Sequence, residues 1–243
     1  SKTKLVIMPK SPRRDSSAKT DGSATFGLDH QPKDVVTAVI AHPPKFGGAV
    51  KSFDASEAKK LPGVVDVVQI PQGVAVLAKD MWSAIKGREA LKVEWDFAKA
   101  ESRGSAEIMA DYKKLAATAG TSVRNDGDAA GALKGARKKL SADFEFPYLA
   151  HAPLETLNCT VLLTPTSCEL WLGSQFPSMD QPVAAAIAGL KPEQVKINTL
   201  YAGGSFGRRA TPNADVVNLA VHVAKAWGGT APVKLVYTRE DDI

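Results

Sequence analysis

Residues 201–210, with the sequence YAGGSFGRRA, are the stretch best suited to binding a ligand. An apolar run precedes them and a helix-like run follows, so their amides would lie near the positively polarised N-terminus of a helix, which attracts anions. Glycines let a backbone approach a ligand closely, and Arg208 and Arg209 can pair with phosphate. The spacing matches neither GxGxxG nor GxxxxGK[ST], the common phosphate-binding motifs. A cofactor-binding loop and a flexible turn are both open on these residues.

Two further polar side chains stand where they could contact a ligand. Gln175 lies between a predicted strand and a predicted helix, where its amide could donate to an oxo ligand or satisfy the loop backbone. Glu155 is close to His151 in sequence and could serve as a base, although such a pair alone does not assign catalysis. The histidines are widely spaced and form no metal-binding pair. They are His30, His42, His151 and His222.

The composition is that of a soluble globular protein with one large or two ordinary domains. Of the 243 residues, 44% are hydrophobic and 23% are charged, and no apolar run approaches the roughly 20 residues of a membrane span. The net charge of +5 arises from residues 1–20, which contain six basic residues and one acidic residue, while the remainder is neutral. We therefore predict a basic lead-in segment and no nucleic-acid-binding surface.

The two cysteines, Cys159 and Cys168, flank the turn-like sequence Thr164-Pro165-Thr166. A hairpin there would place Cys168 opposite about residue 162 or 163, several residues from Cys159. A disulfide is therefore not expected, and two buried thiols are.

Hydrophobic periodicity predicts a first α+β unit that ends near Asp96. A short helix is expected after Asp54, and a longer amphipathic helix at 81–91 has Trp82, Ile85 and Leu91 on or near one apolar stripe. The strands of this unit are predicted at residues 34–42, 49–54, 64–70, 73–79 and 91–96.

After a polar stretch with one or two surface helices, at 107–120 and 127–140, the pattern becomes strand-rich again. Strands are predicted at 141–151, 157–165 and 168–175, followed by a helix that ends at Gly189. The strand 195–202, a helix over 212–227 with Pro212 in its first turn, and the strand 233–239 form a βαβ unit with a right-handed crossover. The glycine-containing loop lies inside this unit.

Six stretches resemble, in order, the large molybdenum-binding subunit of the xanthine dehydrogenase and aldehyde oxidase superfamily, and within it the isoquinoline 1-oxidoreductase beta subunits. The resemblance covers nearly all of residues 20–243. The stretches are DGSATFGLD, HPPKFGGAVKSFDASEAKKLPGVVDVVQIPQGVAVLA, FPYLAHAPLETLNCTV, GSQFPSMDQ, YAGGSFGRR and VKLVYTREDD.

Composition and pattern predict a basic lead-in at residues 1–20 and a helical connector at residues 98–139. The resemblance implies that residues 21–97 are an a/b hammerhead domain. Residues 140–243 would begin the molybdopterin-binding region. The fold class expected is thus α+β, with mixed sheets and packed helices. Because the family extends well beyond this sequence, its catalytic glutamate is expected after Ile243, and no catalytic residue is assigned within the chain.

The resemblance also implies a cofactor, a molybdenum-pterin in the form of molybdopterin cytosine dinucleotide. The pterin holds the metal, so no side chain of this chain is expected to ligate it. Gln175 would hydrogen-bond the oxo group, and the glycine-containing loop would line the cofactor. The loop residues matched are Gly203, Gly204, Ser205, Phe206, Gly207 and Arg208. Ser205 stands where the family often has glycine, and Ala210 where some members have a substrate-recognising glutamate.

The implied reaction is hydroxylation of an electron-poor carbon in an N-heterocycle or an aldehyde, with oxygen from water and electrons passed to a [2Fe–2S] small subunit. The chain by itself is expected to be inactive and to retain no cofactor. Periplasmic and cytoplasmic locations are both compatible with the resemblance. The residues alone also permit a stand-alone phosphate- or nucleotide-binding module, or a purely structural scaffold domain.

Overall fold

The computed structural model describes residues 13–243, so the first twelve residues of the predicted lead-in lie outside the described residues. The strands are β1 (Val36–Ala41), β2 (Ala49–Asp54), β3 (Val64–Ile70), β4 (Gly73–Ala78), β5 (Lys92–Asp96), β6 (Asn158–Leu163), β7 (Cys168–Leu172), β8 (Val195–Thr199) and β9 (Val233–Val236). The α-helices are α1 (Ser16–Thr20), α2 (Met81–Glu89), α3 (Ser105–Ala116), α4 (Ala129–Gly135), α5 (Pro177–Ala188), α6 (Asp215–Trp227) and α7 (Arg239–Asp242). Across residues 13–243, no helix has the length and apolar character needed to cross a membrane. The predicted α+β class is confirmed.

Seven strands form one mixed sheet in the order β3-β4-β1-β9-β6-β7-β8, while β2 and β5 form a separate antiparallel pair. At the centre of the sheet β1 runs parallel to β9, with Ala38 opposite Leu235. β6 runs antiparallel to both β9 and β7, and β7 runs parallel to β8. The large sheet therefore contains strands from both segments, 21–97 and 140–243, that the sequence suggested as domains.

Helices α5 and α6 cover one face of this sheet. α6 buries Val217 and Val221 against Val161 of β6 and Leu235 of β9. It joins β8 to the parallel strand β9, as the predicted βαβ unit requires, but β7 and β6 lie between these two strands. The apolar content of α6 therefore fills the main core.

The ends of α6 differ in how well the sequence predicted them. The helix begins at Asp215 and not at Pro212, because residues 211–214 form a turn in which the N–H of Ala214 donates to the carbonyl of Thr211. It ends as predicted at Trp227 and is followed by Gly228, whose φ of 67° is left-handed.

Helix α2 packs on the opposite face of the sheet, over β1, β4 and β3. Its closest approach uses Ala84 and Gly87, and a Cβ on Gly87 would lie 2.6 Å from Cγ1 of Val76. The prediction that Trp82 shares the apolar stripe is wrong: its side chain is 67% exposed and lies beneath Nζ of Lys86. A helix that contacts a sheet through alanine and glycine leaves no space for an indole ring.

Beyond α2 this face of the sheet is polar and is covered by residues 26–30, which we call the strap. Side chains alternate along β9, so Lys234 lies on this face of the sheet while Leu235 lies on the other. Nζ of Lys234 donates to the carbonyl of Leu28 in the strap. Burial lowers the pKa of Lys234. The strap also stacks His30 on Trp171 of β7, with ring centroids 4.9 Å apart. It thus carries residues of the N-terminal half onto β9 and β7.

The predicted helices of the connector are present as α3 and α4, but the predicted strand over 141–151 is not. Residues 136–157 contain no helix or strand. Phe144, Phe146 and Tyr148 alternate as in a strand, yet their side chains are 79–81% exposed. Pro147 lacks an N–H for pairing, and the segment joins neither sheet of the described chain. The alternation of aromatic and polar residues over 141–151 was therefore not sufficient to predict a strand.

Candidate functional site

Residues 201–210, here called the glycine loop, leave the end of β8 and lead to the turn before α6. At the start of the loop the N–H of Leu200 donates to the carbonyl of Leu172, the last residue of β7, over 2.9 Å. Tyr201 forms a β-bridge with Phe26 at the edge of the strap. Because parallel strands β7 and β8 end at the same edge of the sheet, the segments that follow them lie side by side. This places Gln175, which follows β7, next to the glycine loop.

The tip of the loop has an unusual backbone conformation. Gly204, Phe206 and Gly207 have φ angles of 107°, 56° and 97°, all in the left-handed range. A side chain other than glycine seldom adopts such an angle, at a cost of about 1–2 kcal/mol, and Phe206 does so with its ring 77% exposed. A Cβ built on Gly207 would meet no atom within 4 Å. The loop therefore presents a constrained backbone to open space.

Four consecutive backbone N–H groups, those of residues 204–207, take no part in the hydrogen bonds within residues 13–243. The neighbouring amides do: Gly203 donates to Glu155, Arg208 to the carbonyl of Ser205, and Arg209 to the Ser205 hydroxyl. Successive unpaired amides in a turn with left-handed residues form a concave site for anions or electronegative oxygens. The predicted binding loop thus has the donors that such a ligand needs.

Gln175 is held over this loop by two contacts. Its backbone N–H donates to the carbonyl of Arg209 over 3.2 Å, and its Oε1 accepts a hydrogen bond from the hydroxyl of Ser205. The side chain is exposed, and Nε2 donates to no acceptor in the described part of the chain. The amide is therefore oriented with its N–H₂ group available to a ligand.

Beneath the loop lies a buried ion pair that sequence reasoning missed. Nη2 of Arg209 is 3.1 Å from Oε2 of Glu155, and their side chains are only 3% and 7% exposed. Burial lowers the pKa of Arg209, and attraction to Glu155 opposes this. His151, which the sequence placed beside Glu155, is exposed. The only signal in the sequence was a carboxylate within an apolar stretch, since a buried charge must be paired.

Arg208 and Arg209 both have carboxylate partners. Nη2 of Arg208 lies 2.8 Å from Oδ2 of Asp215, the first residue of α6. Arg209 pairs with Glu155, and its Nε donates to the carbonyl of Gly204 over 2.9 Å. The two guanidinium groups are thus engaged in ion pairs within the protein, and the pairing with phosphate that the sequence allowed is not what holds them here.

The remaining candidates lie apart from the loop. Within residues 13–243, no group of three or more histidine, cysteine or acidic side chains is arranged to hold a metal. Cys168 pairs with Leu163 across the β6–β7 hairpin, as predicted, and both it and Cys159 are buried free thiols. Burial raises the pKa of Cys168 to about 11. The thiols therefore belong to the core.

Comparison with known proteins places these features in a family. A model of the molybdopterin cofactor-binding domain matches residues 113–243, more than half of the chain. Isoquinoline 1-oxidoreductase subunit beta of Brevundimonas diminuta is 30% identical over an alignment of 258 positions. The alignment covers 99% of this chain and 32% of that protein. Membrane-bound aldehyde dehydrogenase (pyrroloquinoline-quinone) of Gluconacetobacter polyoxogenes is 31% identical over 260 residues, covering 99% and 33%. The chain spans about a third of the length of these relatives.

A solved structure shares the fold. Quinoline 2-oxidoreductase from Pseudomonas putida 86 matches with a TM-score of 0.70 at 17% identity, over 96% of this chain and 34% of that one. The family match and the similarity to isoquinoline 1-oxidoreductase subunit beta confirm the resemblance drawn from the sequence motifs. The chain belongs to the molybdopterin cofactor-binding domain family.

Proposed function

We propose that this chain supplies part of the cofactor wall of an oxidoreductase of the molybdenum hydroxylase type. One observation carries the proposal: the N–H groups of residues 204–207 and Nε2 of Gln175 have no acceptor within residues 13–243 and lie at the same edge of the sheet. Five donors around an open space suit a ligand rich in oxygen atoms. The family match supports molybdenum-pterin as this ligand.

The residues present fit such a group. A pterin dithiolene supplies the sulfur ligands of the metal, so the protein needs to offer hydrogen-bond donors and space rather than metal ligands. The open side of Gly207 offers the space, and the amides of the loop and of Gln175 offer the donors. The residues proposed to hold the cofactor are Gln175, Gly203, Gly204, Ser205, Phe206, Gly207 and Arg208. Of these, Gly203 and Arg208 act by shaping the loop, because their donors are bonded to Glu155 and Asp215.

When bound, the cofactor supplies oxygen transfer from water to an electron-poor carbon and accepts the two electrons released. The chain's own residues position and polarise. Nε2 of Gln175 donates to an oxygen of the cofactor, and Ser205 keeps the amide in that orientation. Donors held in place before reaction stabilise developing negative charge without reorganisation.

The substrate and the partners are inferred from the relatives. We propose an N-heterocycle or an aldehyde as substrate, because the similar proteins are named for isoquinoline, quinoline and aldehyde. We further propose molybdopterin cytosine dinucleotide as the form of the cofactor and a [2Fe–2S] small subunit as the electron acceptor. The hammerhead assignment of residues 21–97 and the assignment of residues 140–243 to the start of the cofactor-binding region belong to the same proposal.

Two glutamines of the chain make a matched test in the full-length protein. Gln175→Ala removes the unpaired donor, whereas Gln181→Ala removes a structural amide whose Nε2 donates to the carbonyls of Pro192 and Val195. We expect Gln175→Ala to lower turnover per bound molybdenum, in dye-reduction assays with aldehydes and N-heterocycles, by about 10²-fold with little change in melting temperature.

Gln181→Ala should lower the melting temperature and leave turnover per bound molybdenum unchanged. If Gln175→Ala behaves like Gln181→Ala, Gln175 is a structural residue and the proposed wall is wrong. Absence of molybdenum from the purified full-length protein would contradict the proposed cofactor itself.

A further inference from the structure

We infer that Glu155 is the positioning residue of the glycine loop: its buried contacts set the conformation that exposes the donors of residues 204–207 and Gln175. The inference rests on the proposed function only in what those donors bind. Residue 155 contacts Gly203 twice, since its N–H donates to the Gly203 carbonyl over 3.0 Å and its Oε2 accepts from the Gly203 N–H over 2.7 Å. Both the N–H and the carbonyl of Gly203, near the start of the loop, are therefore hydrogen-bonded to residue 155.

The same residue holds the end of the loop through Arg209. Nη2 of Arg209 donates to both the backbone carbonyl and Oε2 of Glu155, over 3.0 and 3.1 Å. From this anchored position Arg209 donates through Nε to the carbonyl of Gly204, and its own backbone N–H donates to the Ser205 hydroxyl. Its carbonyl accepts from Gln175. Glu155 thus bonds Gly203 near the start of the loop and Arg209 near its end, and the carbonyl of Arg209 in turn bonds the backbone of Gln175.

The other carboxylate oxygen fixes Glu155 itself. Oε1 accepts from the N–H of Leu28 in the strap over 3.0 Å and from Nδ2 of Asn158 in β6 over 3.1 Å. Every donor around the carboxylate is thus provided by the fold, and the group is buried beside a guanidinium. Such a carboxylate does not reach a substrate, so Glu155 positions the loop and is not the base that its neighbourhood in sequence suggested.

The backbone of the glycine loop packs closely against the residues next to Glu155. A Cβ added to Gly203 would lie 2.5 Å from Cβ of Glu155, and one added to Gly204 would lie 3.3 Å from Cβ of Pro153. The backbone of the loop therefore lies directly on residues 153–155. Glycine at 203 is needed for this approach rather than for flexibility.

Hydrogen exchange of the full-length protein, followed by mass spectrometry, tests the inference without use of activity. Glu155→Gln keeps the size of the side chain, but in either orientation its N–H₂ group faces two donors, those of Gly203 and Arg209 or those of Leu28 and Asn158. We expect exchange in peptides covering residues 200–210 to become about tenfold faster, since one or two hydrogen bonds are lost, while peptides of β6 and β9 keep their rates. Glu169→Gln, which removes the surface partner of Lys196, is the matched control and should leave residues 200–210 unchanged.

Arg209→Lys is the second variant, because lysine retains the charge but cannot bond Gly204 and Glu155 at the same time. It tests the positioning role if Glu155→Gln does not fold. Unchanged exchange in residues 200–210, or faster exchange spread equally over the chain, overturns the positioning role. Molybdenum content is measured on the same samples. A loosened loop with full metal content leaves the positioning role intact and contradicts the proposed cofactor wall, so the two failures are distinguishable.

Discussion

The hydroxyl of Ser205 donates a hydrogen bond to Oε1 of Gln175 and so joins two loops that leave neighbouring parallel strands. The same hydroxyl accepts from the N–H of Arg209 over 3.2 Å. This contact requires the hydroxyl of Ser205, which a glycine at this position would lack. In this chain it directs the amide oxygen of Gln175 to the loop and the N–H₂ group outward.

Ser205→Ala is expected to loosen Gln175 without loss of the fold. The hydroxyl makes two hydrogen bonds near the surface, each worth about 0.5–1.5 kcal/mol, and their loss should slow turnover per bound molybdenum severalfold in the full-length protein. Ser167→Ala, which removes a hydroxyl bonded to Thr164 in the β6–β7 hairpin, is the control. Equal turnover in the two variants would show that Gln175 is oriented without Ser205.

Gly207 and Gly189 permit a direct test of the loop as a cofactor wall. Both have left-handed φ angles, 97° and 77°, and neither would bring an added Cβ within 4 Å of another atom. Valine at either position should therefore cost a similar 1–3 kcal/mol or so of backbone strain. We expect Gly207→Val alone to lower the molybdenum content of the full-length protein sharply, because its side chain enters the space proposed for the cofactor. Equal metal content in both variants would remove Gly207 from the wall.

Arg88 links α2 to α7 and so ties two sequence-distant parts of the chain together. Its Nη1 lies 2.8 and 2.9 Å from the two oxygens of Asp241, and Nη2 donates to the hydroxyl of Thr238 over 3.2 Å. Because the pair is largely buried, Arg88→Ala should lower the free energy of unfolding in urea by about 2–3 kcal/mol.

The control for Arg88 is Lys51→Ala. Lys51 pairs with Glu94 at 3.5 Å, but both side chains are exposed, so we expect a change of about 0.5 kcal/mol or less. A similar small change for Arg88→Ala would mean that the Arg88–Asp241 contact does not connect the two segments energetically.

Asp180 should make stability depend on pH in the direction opposite to an ordinary ion pair. Burial raises the pKa of this carboxyl above the ordinary 3.8; a hydrogen bond from Ser174 opposes the shift and the charge of Asp215 adds to it. The folded chain thus binds this proton more tightly than the unfolded chain, so the stability it contributes is present below about pH 3.8 and is lost as pH rises through the folded pKa. The difference in free energy of unfolding between Asp180→Asn and the parent chain should therefore grow, in favour of the variant, from about pH 4 to pH 7.

Asp80→Asn gives the contrasting slope. Hydrogen bonds from Ser83 lower the pKa of Asp80, the N-cap of α2, so its contribution is present above pH 3.8 and is lost as pH falls through the folded pKa. Urea unfolding of both variants and the parent across the same buffers checks the signs. Parallel curves for Asp180→Asn and the parent would show that the buried carboxyl keeps its ordinary pKa.

Local features of the chain were predictable because they depend on neighbouring residues. Periodicity of apolar residues located most strands and helices, and Gly189 and Gly228 ended α5 and α6 by taking the left-handed conformation that other residues avoid. The order of strand, glycine loop and helix followed in the same way, as did the position of Gln175 between β7 and α5. The family resemblance, which the comparisons confirm, also rested on short motifs of this kind.

Contacts between distant residues were decided only by the tertiary structure. Ser205 and Gln175 are 30 positions apart, and they meet because the parallel strands β7 and β8 end at one edge of the sheet. Glu155 and Arg209 are 54 positions apart, and they meet because the antiparallel strand β6 begins at that same edge. Strand order is not encoded in any local pattern. The same reason explains the errors: Trp82 and the alternating residues 141–151 have patterns that suit burial, but burial requires a facing surface, and the fold places none there.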